Sequence, residues 1–168
     1  MVIGGQAVLV HGEPRLTRDI DITLGVDSTQ LNKVLTAVAS ISLASAVADV
    51  ESFVRKTNVL PLSDPVSNIR VDLIFSFTPY ESEAVRRAVT VVLNEVPVRF
   101  ASAEDLIIHK LVAGRPRDIE DIRGVLARNP SLDEEDIIRW LASFREVVNR
   151  DLVSEFKTLL QNRNSISR

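Results

Sequence analysis

Apolar residues recur at two different periods along this chain, and each change of period marks an element. In Ile69-Arg70-Val71-Asp72-Leu73-Ile74-Phe75 every second position is apolar, the period of a strand with one buried face. Ile69, Val71, Leu73 and Phe75 share that face, which leaves Asp72 on the other with Arg70 and Ile74. A second strand is predicted near residues 18–24, where Ile20 and Ile22 point one way and Asp19 and Asp21 the other. Met1 to Gly5 reads as a very short strand ending in a glycine turn, then a helix over about residues 5–11. Leu31, Val34, Leu35 and Val38 are spaced for a helix. Residues 52–60 read as a further strand, and Pro61 to Asn68 as a turn region with two prolines.

Downstream, Thr78-Pro79 supplies a helix start, with threonine as cap and proline at the first helical position. Residues 89–93 and 96–100 form a predicted hairpin turning at Asn94-Glu95. Ser102-Ala-Glu-Asp105 resembles a capping box ahead of a helix carrying Leu106, Ile107, Lys110 and Leu111. Pro116 restarts the chain after Gly114, and residues 117–128 carry Ile119, Ile122, Val125 and Leu126 at helical spacing. Ser131 is the expected cap of another helix, whose first turn, Asp133 to Asp136, suits the positive end of the dipole. Asn129-Pro130 is the expected boundary between an α/β core at 1–128 and a C-terminal helical segment at 129–168. Trp140, Leu141 and Phe144 read as core of those last helices.

Composition narrows the chemistry. At 168 residues and 45% hydrophobic content the chain can bury a full core, and no apolar run has the length of a membrane span. No basic segment followed by an apolar stretch opens the sequence, so the expected location is the cytoplasm, with no membrane partner. With no cysteine and two histidines, His11 and His109, a thiolate or zinc site is set aside. A metal here would be held by oxygen, which means magnesium or manganese. The net charge of −3 confines any nucleic-acid contact to a local patch. Arg115, Arg117, Arg123 and Arg128 are either such a stripe or a solvated helix face.

Asp19 and Asp21 leave the same strand face at about 6.5–7 Å spacing. Such a pair is either a solvated acidic edge or a cation site, since neighbouring carboxylates repel. Three features favour the second. Gly4-Gly5 lies at a strand end opening a helix, where backbone N–H groups approach phosphate without an intervening Cβ. Asp72 interrupts an apolar strand, where an acid needs a partner. Lys110 falls on a later apolar helix, as a phosphate or carboxylate contact or as a snorkelling surface lysine. Two carboxylates from one strand and a third from its neighbour form the ligand set of a two-metal phosphoryl-transfer site.

Gly4-Gly5, then Arg15-x-Thr17-x-Asp19-Ile-Asp21-Ile, then the lone Asp72, resembles the nucleotidyltransferase superfamily related to DNA polymerase β. The stretch from Asp105 through Lys110, Arg115, Arg117, Asp118 and Asp121 is similar to the AbiEii/AbiGii-type toxins of type IV toxin–antitoxin systems; together the blocks cover roughly residues 2–126. The resemblance implies a mixed β-sheet flanked by helices, with further helices C-terminal. It also implies transfer of a nucleoside monophosphate from a nucleoside triphosphate to a hydroxyl of RNA (a tRNA end), a protein or a small molecule, and a cognate antitoxin as partner. By the same resemblance Gly4 and Gly5 cradle the triphosphate, Asp19 and Asp21 bind both metals, and Asp72 completes the metal site and acts as general base. Lys110 contacts nucleotide phosphate or positions Asp118 and Asp121; those two acids are equally placed to pair with Arg115 or Arg117 on a helix surface. Arg15 and Thr17 join the nucleotide site, although ion pairs with nearby acids account for Arg15 as well. Relatives carry a helix ahead of the Gly-Gly strand, and here the sequence starts at the strand. The alternative is a relative that keeps the fold and binds nucleotide or a partner without turnover.

Overall fold

The computed structural model describes the backbone of residues 1–166 and side chains up to residue 163. Its elements follow in the order α1 (Gly4–His11), β1 (Asp19–Thr23), α2 (Leu31–Ser40), β2 (Ala44–Ser45), α3 (Val50–Thr57), β3 (Val59–Ser63), β4 (Arg70–Ile74) and α4 (Pro79–Arg87). After them come β5 (Val89–Leu93), β6 (Val96–Phe100), α5 (Ala103–Ala113), α6 (Pro116–Arg128), α7 (Glu134–Ser143), α8 (Arg145–Val148) and α9 (Leu152–Ile166). This is a mixed α/β chain. It packs as two compact units, one of Met1–Gln6 with Leu16–Phe100, the other of Ala7–Arg15 with the chain from Ala101 onward. Asn129-Pro130 lies inside the second unit.

The first unit is built on a four-stranded sheet in the order β1-β4-β3-β2. β1 and β4 run parallel, with Ile20 beside Val71 and Ile22 beside Leu73; β3 is antiparallel to β4, with Leu60 beside Leu73 and Leu62 beside Val71. These residues make one apolar face, onto which Val38 of α2 and Val54 of α3 close with Phe75. The expected strand at 52–60 is corrected: residues 50–57 form α3, and the strand is Val59–Ser63. Asp49 caps that helix by accepting from the Ser52 N–H, and Asn58, at φ 55°, ends it in the left-handed conformation. Such cap signals outweigh the β-branched residues between them. Pro61 therefore sits within β3. Its carbonyl accepts from Ala46 N–H at 2.9 Å, so its missing donor faces the two-residue β2 and leaves the β3–β4 ladder intact.

The hairpin β5–β6 turns at Asn94 and Glu95, both at positive φ (47° and 69°), as a two-residue loop requires. Glu81 takes the Thr78 N–H at 2.8 Å at the start of α4.

In the second unit, α5, α6, α7 and α9 pack around Leu106, Ile107, Leu111, Ile122, Leu126, Leu141 and Phe156. Ser102 caps α5, its hydroxyl accepting from Asp105 N–H at 3.1 Å. The expected cap at Ser131 moves to Asp133, whose carboxylate accepts from Asp136 N–H at 2.9 Å. That acid stands immediately before the first helical residue, the position where an anion meets the orphan N–H groups. Leu141 is buried, while Trp140 and Phe144 are half-buried.

Candidate functional site

Parallel pairing of β1 with β4 decides which side chains meet. Asp19 stands opposite Arg70 and Asp21 opposite Asp72, and because laterally paired residues share a face, all four project from the side away from the apolar core. Asp19, Asp21 and Asp72 are thus gathered on one face by the same alternation that buries Ile20, Ile22, Val71 and Leu73. Thr17 donates its hydroxyl to Asp19 Oδ1 at 2.8 Å, which orients that carboxylate. Arg70 Nη2 donates to Asp72 Oδ2 at 2.5 Å, from a side chain 62% exposed to one only 15% exposed. The hydrogen bond and charge of Asp72 first, then the charges of Asp19 and Asp21, hold the Arg70 guanidinium's pKa above its ordinary value.

The chain start is laced to this face. Thr23 N–H donates to Met1 O and Ile3 N–H to Asp21 O, each at 2.9 Å, and Val2 N–H donates to Arg99 O at 2.7 Å. α1 therefore opens at Gly4 beside Asp21. Gly4 has φ +60°, and a Cβ built there would lie 2.0 Å from Asp21 Oδ2. Glycine is what lets the backbone turn against that carboxylate, and the first N–H groups of α1 have no intrahelical acceptor. Gly5 is buried in the same turn.

The remaining predicted residues gather in the second unit. Lys110 is buried (7% exposed), not a surface lysine. Its ammonium donates to Asp118 Oδ1 and Asp121 Oδ2, both at 2.7 Å. Arg15 holds Asp121 through both oxygens, Nε to Oδ1 at 2.7 Å and Nη2 to Oδ2 at 3.0 Å. Asp118 Oδ2 also accepts from Arg115 N–H at 3.1 Å at the start of α6. Burial alone would raise the Asp121 pKa, but the hydrogen bonds and charges of Arg15 and Lys110 outweigh it, and the pKa falls below the ordinary value. Arg115, Arg117, Arg123 and Arg128 are all exposed, and Arg128 pairs with Glu13 at 3.0 Å.

One of these partnerships escapes a reading of the sequence. Arg15 and Asp121 lie 106 positions apart, and no local pattern joins them. Arg70 does carry a signal, since it stands two residues before Asp72 on the same face.

The donor set suits a hard divalent cation. Three carboxylates from adjacent strands offer the oxygen ligands that magnesium and manganese take, and the guanidinium drawn among them shows where positive charge is stabilised. As the side chains stand, no group of three His, Cys, Asp or Glu among the described residues is arranged to hold a metal ion, and Arg70 engages one of the three acids.

An antigenic nucleotidyltransferase-like protein from Paracoccidioides brasiliensis superposes over 99% of this chain and 81% of its own, at TM-score 0.56 and 18% identity. The antibiotic-resistance factor ANT(2'')-Ia superposes over 98% of this chain and 86% of its own, at TM-score 0.54 and 17% identity. At such identities the likeness is one of fold. A search of curated proteins returns no match. The family model described as nucleotidyl transferase AbiEii toxin, type IV toxin–antitoxin system, matches residues 2–166, and the chain belongs to that family of nucleotidyltransferases.

Proposed function

We propose that this chain transfers a nucleoside monophosphate from a nucleoside triphosphate to a hydroxyl acceptor, at the face shared by β1 and β4. The observation that carries this reading is the register, which sets Asp21 beside Asp72 and Asp19 one pleat away on the same side. In this reading Asp19, Asp21 and Asp72 hold magnesium or manganese, and the glycine turn at Gly4-Gly5 offers backbone N–H groups to the triphosphate. Bound divalent ions would lower the pKa of the attacking hydroxyl and neutralise charge on the phosphates and the departing pyrophosphate. Asp72 accepts the hydroxyl proton as the acceptor oxygen bonds to the α-phosphorus, and the bond from that phosphorus to the bridging oxygen breaks to release pyrophosphate. Thr17 fixes Asp19. Lys110, Arg15 and Asp118 belong to the buried network of the second unit, which ties α5 to α6, and the charges of all three are met there.

Family membership supports a toxin with a cognate antitoxin, and RNA and protein are among the acceptors to be tried. The fold likeness to a resistance factor keeps small molecules among the acceptors to be tried. Among the described residues no helix is long and apolar enough to cross a membrane.

A second reading, nucleotide or partner binding without turnover, is favoured by the Arg70–Asp72 ion pair on one of the three acids. One experiment separates the two. The purified chain is supplied with α-labelled triphosphates, magnesium, and in turn total RNA, cell protein and aminoglycosides. Label transferred by the wild type and lost in Asp19→Ala supports the enzyme. Nucleotide binding with no labelled product in any arm supports the second reading.

A further inference from the structure

The Arg70–Asp72 pair sits on a carboxylate assigned above as a metal ligand, and the inference rests on that assignment. Exposed arginine–carboxylate pairs are worth about 0–1 kcal/mol, so this one adds little to the stability of the sheet. Its position matters more. Arg70 stands across from Asp19 and two residues before Asp72, so the guanidinium lies among three like charges that repel one another. A guanidinium and a divalent cation compete for the same Asp72 oxygen. Beyond its bond to Asp72 the arginine side chain is mostly exposed, and a triphosphate offers it the forked oxygen pair that guanidinium matches best.

We infer that Arg70 is a counter-ion latch: it holds Asp72 in the resting protein and moves to the phosphates of an incoming nucleoside triphosphate, which frees the carboxylate for metal. Arg70 is then a positioning residue that weakens metal binding and strengthens nucleotide binding. Charge balance is kept throughout, since the guanidinium leaves one anion only for another. The two effects have opposite signs, and a merely structural arginine would not produce that.

The test uses the full chain as wild type, Arg70→Gln and Arg70→Lys, with two probes measured by calorimetry, Mn2+ alone and ATP in EDTA. Arg70→Gln is expected to tighten Mn2+ and to weaken metal-free ATP, each by about tenfold, the scale of one charge-assisted contact. Arg70→Lys, which keeps the charge and loses the fork, falls between. Unchanged affinities in Arg70→Gln, or both affinities moving the same way, overturn the latch. Asp19→Ala separates the two levels of the argument. If it abolishes Mn2+ binding while Arg70→Gln changes nothing, the latch fails and the metal site stands. If Mn2+ binding ignores Asp19→Ala, the site assignment fails and takes the latch with it.

Discussion

Two clusters of charge, one in each unit, differ in balance and in burial. In the second unit Arg15 and Lys110 meet Asp118 and Asp121, two positive charges for two negative ones, with Lys110, Asp118 and Asp121 between 5% and 7% exposed. On the β1–β4 face Asp19, Asp21 and Asp72 share a side with Arg70, and all four are half-buried or exposed. A buried charge is tolerated only when paired and hydrogen-bonded, so the first arrangement is closed on itself. Three acids beside one exposed arginine keep negative charge within reach of solvent, which suits cationic ligands. On the proposed function, chemistry belongs to the unbalanced cluster and cohesion to the balanced one.

Substitutions put that contrast at risk. The largest expected effect is on Lys110→Met, which strips two buried carboxylates of their shared cation and costs about 3–5 kcal/mol in urea unfolding, with or without nucleotide. Asp72→Asn removes one of three like charges and is expected to change the same unfolding energy by no more than about 1 kcal/mol, while stopping label transfer. If the two variants lose equal stability, the division of roles is wrong.

A smaller effect sharpens the β1–β4 cluster. Gly4→Ala forces a Cβ against Asp21 Oδ2 at a left-handed backbone position. The expected cost is about 1–3 kcal/mol in thermal or urea unfolding, together with weaker Mn2+ binding, because Asp21 must shift. A loss of stability with Mn2+ affinity untouched would detach Gly4 from the site.

The smallest effect is on the pH dependence of the balanced cluster. The Asp121 pKa is lowered in the folded chain from its ordinary value of 3.8, so the unfolded chain takes up the proton first as pH falls. The stability this group contributes is complete above that value and is lost as pH drops from about 4 through the folded pKa. Asp121→Asn is expected to flatten the fall of unfolding free energy below pH 4, measured by urea titration at stepped pH. A slope identical to wild type would show that the group does not carry the dependence.

Much of the β1–β4 cluster was legible in advance because a strand's period fixes faces without reference to neighbours. Asp19-x-Asp21 and the run Ile69 to Phe75 each announced which side chains would be buried. Caps at Thr78 and Ser102 and the turn at Asn94-Glu95 were equally local, since each rests on residues a few positions apart. The reading failed where two local preferences competed. Residues 50–57 carry β-branched side chains and also helix-ending signals at Asp49 and Asn58, and the caps prevailed. At 131–133 a serine and an aspartate both qualified as cap, and Asp133 took the role. Lys110 was read both as a partner of Asp118 and Asp121 and as a surface lysine, and the Arg15 that completes the cluster is remote in sequence.

From sequence alone came the faces of the strands, most of the helices, and the presence of three acids suited to oxygen-held metal. Tertiary structure decided that β1 and β4 pair in parallel at the register that sets Asp21 beside Asp72, and that Arg70 closes on the group. It also drew Arg15, Lys110, Asp118 and Asp121 into a satisfied network. Periodicity is a property of one segment, whereas register and charge pairing depend on which segments become neighbours, and packing of the whole chain sets that.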